Sequence, residues 1–204
     1  AMMLANPGYK HVLVCAGDKL SAITNWKDRS TCVLFGDAAC ALVLEQNVEI
    51  PYDFFLAGKI DADGSFEDIL QVPAGGTREP ASQEAIDEGR TFIKMNGPKT
   101  FQKAVSTMCE ACHSLLEITG VNPNKIRWAI PHQANSRIIS AVVERMGMRD
   151  QLYMNVDRFG NTSAASIGIC LDELNRAGKL QRGDLVMTAS FGAGLTWAAA
   201  LLRW

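Results

Sequence analysis

Ile126-Arg127-Trp128-Ala129-Ile130-Pro131-His132-Gln133-Ala134-Asn135 is the stretch on which the fold turns. A short apolar run stops at a proline and yields to polar side chains, and apolar residues then return at helical spacing over 134–146, closed by Gly147. That is a strand, a polar turn and a helix, and α/β sheets carry their chemistry at such strand ends. Working outward, residues 98–119 read as a helix with Pro98 at its start and Gly120 after its end. On the other side come a short strand near 153–156, a helix over 162–177 with Gly178 as its cap, and two strands, 185–190 and 195–202. Phe191-Gly192-Ala193-Gly194 joins that last pair as a hairpin, so the two strands are antiparallel. The order α-β-α-β-α-β-β predicts a layered α/β fold with a mixed sheet.

The first half of the chain has a different rhythm. Residues 11–17 read as a buried strand, 31–35 and 39–44 as apolar runs flanking the turn-like Gly36-Asp37-Ala38, and 53–60 as a further strand. Residues 61–90 are polar, contain Pro73-Ala74-Gly75-Gly76 and Arg78-Glu79-Pro80, and read as a long loop. Ala1-Met2-Met3-Leu4-Ala5 favours helix and runs into the stop signal Asn6-Pro7-Gly8, so the sequence predicts the last turn of a helix there. There is no short-period repeat and no low-complexity segment.

Composition narrows the functional classes. Among 204 residues, 48% are hydrophobic and 21% charged, which excludes disordered, collagen-like and coiled-coil chains. Twenty Lys and Arg against 22 Asp and Glu leave a net charge of −2, which gives no global attraction to nucleic acid or anionic lipid. No window holds eighteen consecutive apolar residues, and the start lacks the pattern of a signal peptide, so a cytoplasmic location is expected. The six cysteines, Cys15, Cys32, Cys40, Cys109, Cys112 and Cys170, sit mostly in apolar runs and read as reduced and buried. Cys109-Glu110-Ala111-Cys112-His113 matches a haem-attachment string and could form half a zinc site or a redox pair. Against this, Phe101, Val105, Met108, Cys112, Leu115 and Thr119 mark the seam of one amphipathic helix with Cys112 in it. The expectation is a core helix without metal or cofactor.

Two polar clusters follow strands and precede helices: Pro131-His132-Gln133-Ala134-Asn135, and Gly160-Asn161-Thr162-Ser163. Helix capping alone accounts for Asn161 or Thr162, and His132 alone could be a hydrogen-bonded structural histidine. Together with the glycine-rich turn at 191–194, at a third strand end, they read as one candidate site.

Four strings in order then carry a resemblance: Asp28-Arg29-Ser30-Thr31-Cys32-Val33-Leu34-Phe35-Gly36-Asp37, Pro131-His132-Gln133-Ala134-Asn135, Gly160-Asn161-Thr162-Ser163-Ala164-Ala165-Ser166 and Phe191-Gly192-Ala193-Gly194-Leu195-Thr196-Trp197. Over its whole length the chain resembles β-ketoacyl-acyl-carrier-protein synthase III, a condensing enzyme of the thiolase fold. The resemblance implies a thiolase-like layered α/β fold with mixed sheets, one complete half plus the end of the other. Residues 1–60 would be the remainder of the N-terminal half, 61–96 a connecting region and 97–204 the C-terminal half.

It also implies a Cys-His-Asn triad with His132 and Asn161 as two members, and a nucleophilic cysteine upstream of the position matching Ala1. A cysteine-bearing N-terminal segment is thus an implied partner, without which this chain would be inactive, and a homodimer of the complete protein is implied with it. The expected reaction is decarboxylative Claisen condensation of an acyl-CoA primer, acetyl-CoA by expectation, with malonyl-acyl-carrier protein, starting fatty-acid synthesis. Phe191, Gly192 and Ala193 would form the oxyanion and gate turn, Arg29 and Asn135 would contact coenzyme A and its pantetheine arm, and Arg137, Arg145 and Arg149 would dock acyl carrier protein. No cofactor, nucleic acid or membrane is implied. Ala38 and Cys40 depart from the pattern, where the family typically has glycines. A thiolase-fold acyltransferase without decarboxylation and a non-catalytic partner subunit remain alternatives; retention of both His132 and Asn161 favours condensation.

Overall fold

The computed structural model describes residues 8–45 and 54–204. The helix end expected at 1–5 and the first residue of the strand expected over 53–60 lie outside the described residues. Strands β1 (His11–Asp18) and β2 (Ala38–Glu45) form an antiparallel ribbon in which His11 faces Glu45 and Asp18 faces Ala38. Next come β3 (Phe55–Ala62), the two-residue strand β4 (Leu70–Gln71), the short helix α1 (Gln83–Asp87) and β5 (Lys94–Met95), which pairs with β4. The remainder alternates: α2 (Gly97–Thr119), β6 (Ile126–Pro131), α3 (Ser136–Arg145), α4 (Val156–Phe159), α5 (Ser166–Arg176), β7 (Leu185–Gly192) and β8 (Thr196–Arg203).

The main sheet has the order β3-β8-β7-β6. It is mixed, as the terminal hairpin requires: β6 runs parallel to β7, while β7–β8 and β3–β8 are antiparallel. The β3–β8 pairing places residues 55–60 in the same sheet as β6 to β8, whereas the sequence reading groups them with the first half.

Local chemistry sets the helix boundaries. Asn96 caps α2 by accepting a hydrogen bond from the Lys99 N–H, Pro98 occupies the first turn, and Gly120 ends the helix in the left-handed conformation at φ 64°. The face of α2 that carries Ala104, Met108, Ala111, Cys112 and Leu115 is buried against α3 and the sheet residues Ala129, Met187, Ala189, Ala199 and Leu201. Residues alternate across a strand, so Ile130 and Val186 face the opposite way, into a second cluster with Cys170, Leu171 and Leu174 of α5. Leu42 of β2 packs on that cluster from beyond α5. The layers therefore run α2/α3, main sheet, α5, β-ribbon.

Four readings need correction. Residues 153–156 do not form a strand: Leu152 makes only an isolated bridge with Ala129, and the buried Gln133 side chain accepts the Asn155 N–H at 2.9 Å, after which the chain coils into α4. Residues 31–34 turn rather than extend, because Asp28 draws in the Cys32 N–H with its carbonyl and the Thr31 hydroxyl with its carboxylate. Residues 61–90 are no structureless loop, since Asp63 and Ser82 each cap a helical turn there by accepting a backbone N–H. The strand expected over 11–17 exists but is not buried; Leu13 is 63% exposed and Cys15 is open to solvent, because nothing among the described residues covers that face of the ribbon. Of the six cysteines, Cys109, Cys112 and Cys170 are buried as expected, whereas Cys32 and Cys40 are only partly covered.

Candidate active site

Where β6 ends, the ladder continues for one more bond: the His132 N–H donates to the Ala189 carbonyl at 2.7 Å, which ties the residue to β7. Its ring Nδ1 lies 2.8 Å from the Ser166 hydroxyl, at the first turn of α5. Burial pulls the imidazole pKa down to about 4, against the opposing effect of a hydrogen bond to the Ser163 backbone. His132 is therefore neutral around pH 7, with one ring nitrogen a donor and the other an acceptor.

Gln133 holds this histidine's backbone in place. It is 0% exposed, and its side chain donates to the Pro131 carbonyl at 2.7 Å and accepts from the Asn155 N–H at 2.9 Å. Its own N–H donates to Ser166 Oγ at 3.3 Å.

Asn161 is fixed just as firmly from the other side. Its N–H donates to the Leu34 carbonyl at 2.8 Å, and its carbonyl accepts the Gly36 N–H at 2.9 Å. The approach leaves no room for a side chain at 36, where a Cβ would lie 2.1 Å from the Phe159 carbonyl oxygen. Asn161 Oδ1 accepts the Ser163 N–H at 2.9 Å, which commits the amide oxygen and leaves the Nδ2 hydrogens as donors. Ser163 has φ 51°, the only positive φ outside glycine among the described residues. Its backbone N–H thus holds the Asn161 oxygen. Asn161 is thereby anchored at a residue in a sparsely populated backbone region, a pattern that clusters at functional sites.

Beneath this loop, Glu173 of α5 accepts from Asn155 Nδ2 at 2.6 Å, from the Tyr153 hydroxyl at 3.2 Å and from both Arg158 terminal nitrogens. Burial works against the Glu173 charge, yet the hydrogen bonds from Arg158 and Asn155 outweigh it and hold the carboxyl below its ordinary value.

Phe191 and Gly192 end β7, opposite Trp197 and Thr196 of β8, and Ala193 stands exposed in the turn. Since Ala189 binds the His132 N–H, Phe191 lies two residues further along the same sheet edge. The remaining expected residues are placed as follows. Asn135 caps α3, accepting the Ile138 N–H at 3.0 Å, which leaves its Nδ2 hydrogens for other partners. Arg29 is exposed on the turn after Asp28, near the 66% exposed Trp26, and takes no part in the hydrogen bonds around Ser163. Arg137 and Arg145 are exposed at the two ends of α3, and Arg149 pairs with Glu144 at 3.2 Å. Cys40 has the room its side chain needs because Gly168 of α5 sits opposite; a Cβ there would lie 2.2 Å from Cys40 Sγ.

Sequence reasoning gave no role to Gln133, Ser163, Ser166 or Gly36. Their contacts, some through side chains and some through the backbone, follow no local pattern, and the one available signal was their position inside the quoted strings.

Layered α/β architecture, a mixed sheet and polar strand ends place the protein in the class of thiolase-like folds. Residues 1–64 match the family described as 3-oxoacyl-[acyl-carrier-protein] synthase III, and residues 116–204 match its C-terminal region. The β-ketoacyl-[acyl-carrier-protein] synthase III of Caldanaerobacter subterraneus is 47% identical over 197 residues, covering 96% of this chain and 59% of the relative; that of Roseiflexus castenholzii is 44% identical over 203 residues, covering 99% and 61%. Among solved structures, the synthase III of Thermus thermophilus aligns with a TM-score of 0.86 at 38% identity, covering 100% of this chain and 62% of that one. The Pseudomonas aeruginosa enzyme gives 0.88 at 31%, covering 100% and 61%. The chain belongs to the β-ketoacyl-acyl-carrier-protein synthase III family. It spans about three fifths of the length of the curated relatives it matches.

Proposed function

We propose that these residues form the decarboxylation half of a condensing site that joins an acyl-CoA primer to malonyl-acyl-carrier protein. The observation that carries the reading is a neutral His132, its Nδ1 beside the Ser166 hydroxyl, together with an Asn161 amide whose oxygen is taken by the Ser163 N–H. In the first half-reaction a thiolate attacks the primer thioester and releases coenzyme A as its thiolate. In the second, malonyl thioester loses CO2, and the electron pair of the broken C–C bond becomes an enolate with its charge on the thioester oxygen. His132 and Asn161 N–H groups donate to that oxygen, each worth about 3 kcal/mol in a dry site. Neither accepts a proton. The enolate carbon then attacks the acyl carbonyl, and collapse of the tetrahedral oxyanion, held by a backbone amide of the 191–193 turn, expels the enzyme thiolate. Phe191 walls the enolate off from water.

The acylated thiol belongs, on this reading, to a segment of the intact protein outside these 204 residues. Cys112 and Cys170 are pushed up to about 12, and Cys40 and Cys109 are also raised, in each case chiefly by burial, the opposite of what a nucleophile needs. Arg29 and Asn135 serve coenzyme A, and Arg137 and Arg145 of α3 serve the acidic carrier; Arg149, neutralised by Glu144, contributes less. The same reading carries a homodimer and a cytoplasmic setting. No helix among the described residues is long and apolar enough to cross a membrane.

The test separates the two half-reactions in the intact protein. Asn161→Ala should lower malonyl decarboxylation by about 100-fold or more while acylation by primer CoA proceeds. Equal loss of both half-reactions would refute the enolate role.

A further inference from the structure

We propose that Ser166 is a positioning residue that sets the tautomer of His132, donating its hydroxyl hydrogen to Nδ1 so that Nε2 carries the ring hydrogen. A hydroxyl has one hydrogen to give and two lone pairs to receive with. The Gln133 backbone N–H, which can only donate, occupies one lone pair of Ser166 Oγ at 3.3 Å. The other polar neighbour recorded for that oxygen is His132 Nδ1, at 2.8 Å. Ser166 is 1% exposed, so its hydrogen is directed to the imidazole rather than to solvent. With the hydrogen on Nδ1 instead, Oγ would receive two N–H groups and its own hydrogen would be buried without an acceptor, the more costly arrangement. A serine in the first turn of a helix commonly turns its hydroxyl back on its own backbone. Here it faces the ring of another element.

The catalytic consequence rests on the function proposed above. An enolate oxygen needs a hydrogen facing it, and the wrong tautomer would present a lone pair there. Ser166 and Ser163 then divide the work, Ser166 selecting which nitrogen of His132 donates and Ser163 N–H selecting which atom of the Asn161 amide does.

Histidine-selective 15N labelling of the intact protein tests the proposal without any assay of activity. In long-range 15N–1H correlation spectra at pH 7, His132 should give an acceptor-type Nδ1 and a protonated Nε2, with the two tautomers at about ten to one or more. Ser166→Ala should bring that ratio down several-fold and lower decarboxylation about 10-fold, with the KM for the malonyl thioester within twofold of wild type. A wild-type spectrum with the hydrogen on Nδ1 overturns the proposal, even if the variant does not fold. So does a folded Ser166→Ala that keeps the wild-type ratio. If the ratio shifts as expected but the wild-type protein does not decarboxylate, the tautomer role stands and the reaction reading falls.

Discussion

His132 gives nothing to the stability of this fold in acid. Its pKa lies near 4 when folded and near 6.5 when unfolded, so between those values the unfolded chain binds the extra proton. Stability must then fall as pH drops from 6.5 to about 4 and level off below, by up to about 3 kcal/mol from this residue. Urea unfolding of wild type and His132→Gln over that range should show the gap between them changing with pH, and parallel curves would mean the ring is not held neutral by burial. The position of this histidine was legible, because Ile126 to Pro131 announces a strand end and His132 follows it. The burial that makes it neutral and the hydroxyl that orients it were not. Ser166 lies 34 positions away, and no periodicity marks a hydroxyl as another residue's ligand.

Helices with ordinary caps, α2 above all, could be read from pattern alone, since Asn96, Pro98 and Gly120 are local signals. The segment 153–156 could not, because its extended appearance gives way to the side chain of Gln133, a tertiary contact that outbids local preference. Contacts between elements yield two predictions. Gly36→Ala drives a Cβ against the Phe159 carbonyl and so displaces the Asn161 backbone bonded to residue 36; a shift on the order of 1 Å should cost decarboxylation about 100-fold, measured with acylation as the control. Gly168→Ala collides with Cys40 across the α5–β2 contact and should lose about 1–3 kcal/mol, and the cost should shrink in the Cys40→Gly background. Additive losses in that double-mutant cycle would show that α5 and the ribbon do not meet there. Cys40 thus owes the space for its side chain to the glycine on the facing helix.

The ribbon shows one apolar face to solvent, with Leu13 and Val43 paired across the strands at 63% and 67% exposed. A patch of this kind on these 204 residues alone should bind a hydrophobic dye and promote self-association, measurable by light scattering. At the opposite pole, Arg137→Glu on α3 should raise the KM for malonyl-acyl-carrier protein several-fold, more at low salt than at high, with that for acyl-CoA unchanged. An unaltered KM for the carrier would remove the docking role. The main sheet has a further consequence, in the order of assembly. Phe55 stands beside Leu202 and Asp61 beside Trp197, so β3 finds its neighbour only after α2, β6, α3, α5 and β7 have all been made. On the ribosome it emerges early and waits, an unmated edge with Ile60 86% exposed even in the finished fold. Folding should accordingly be slow and late to commit, with the last strand of the sheet closing the gap between the two that came before it.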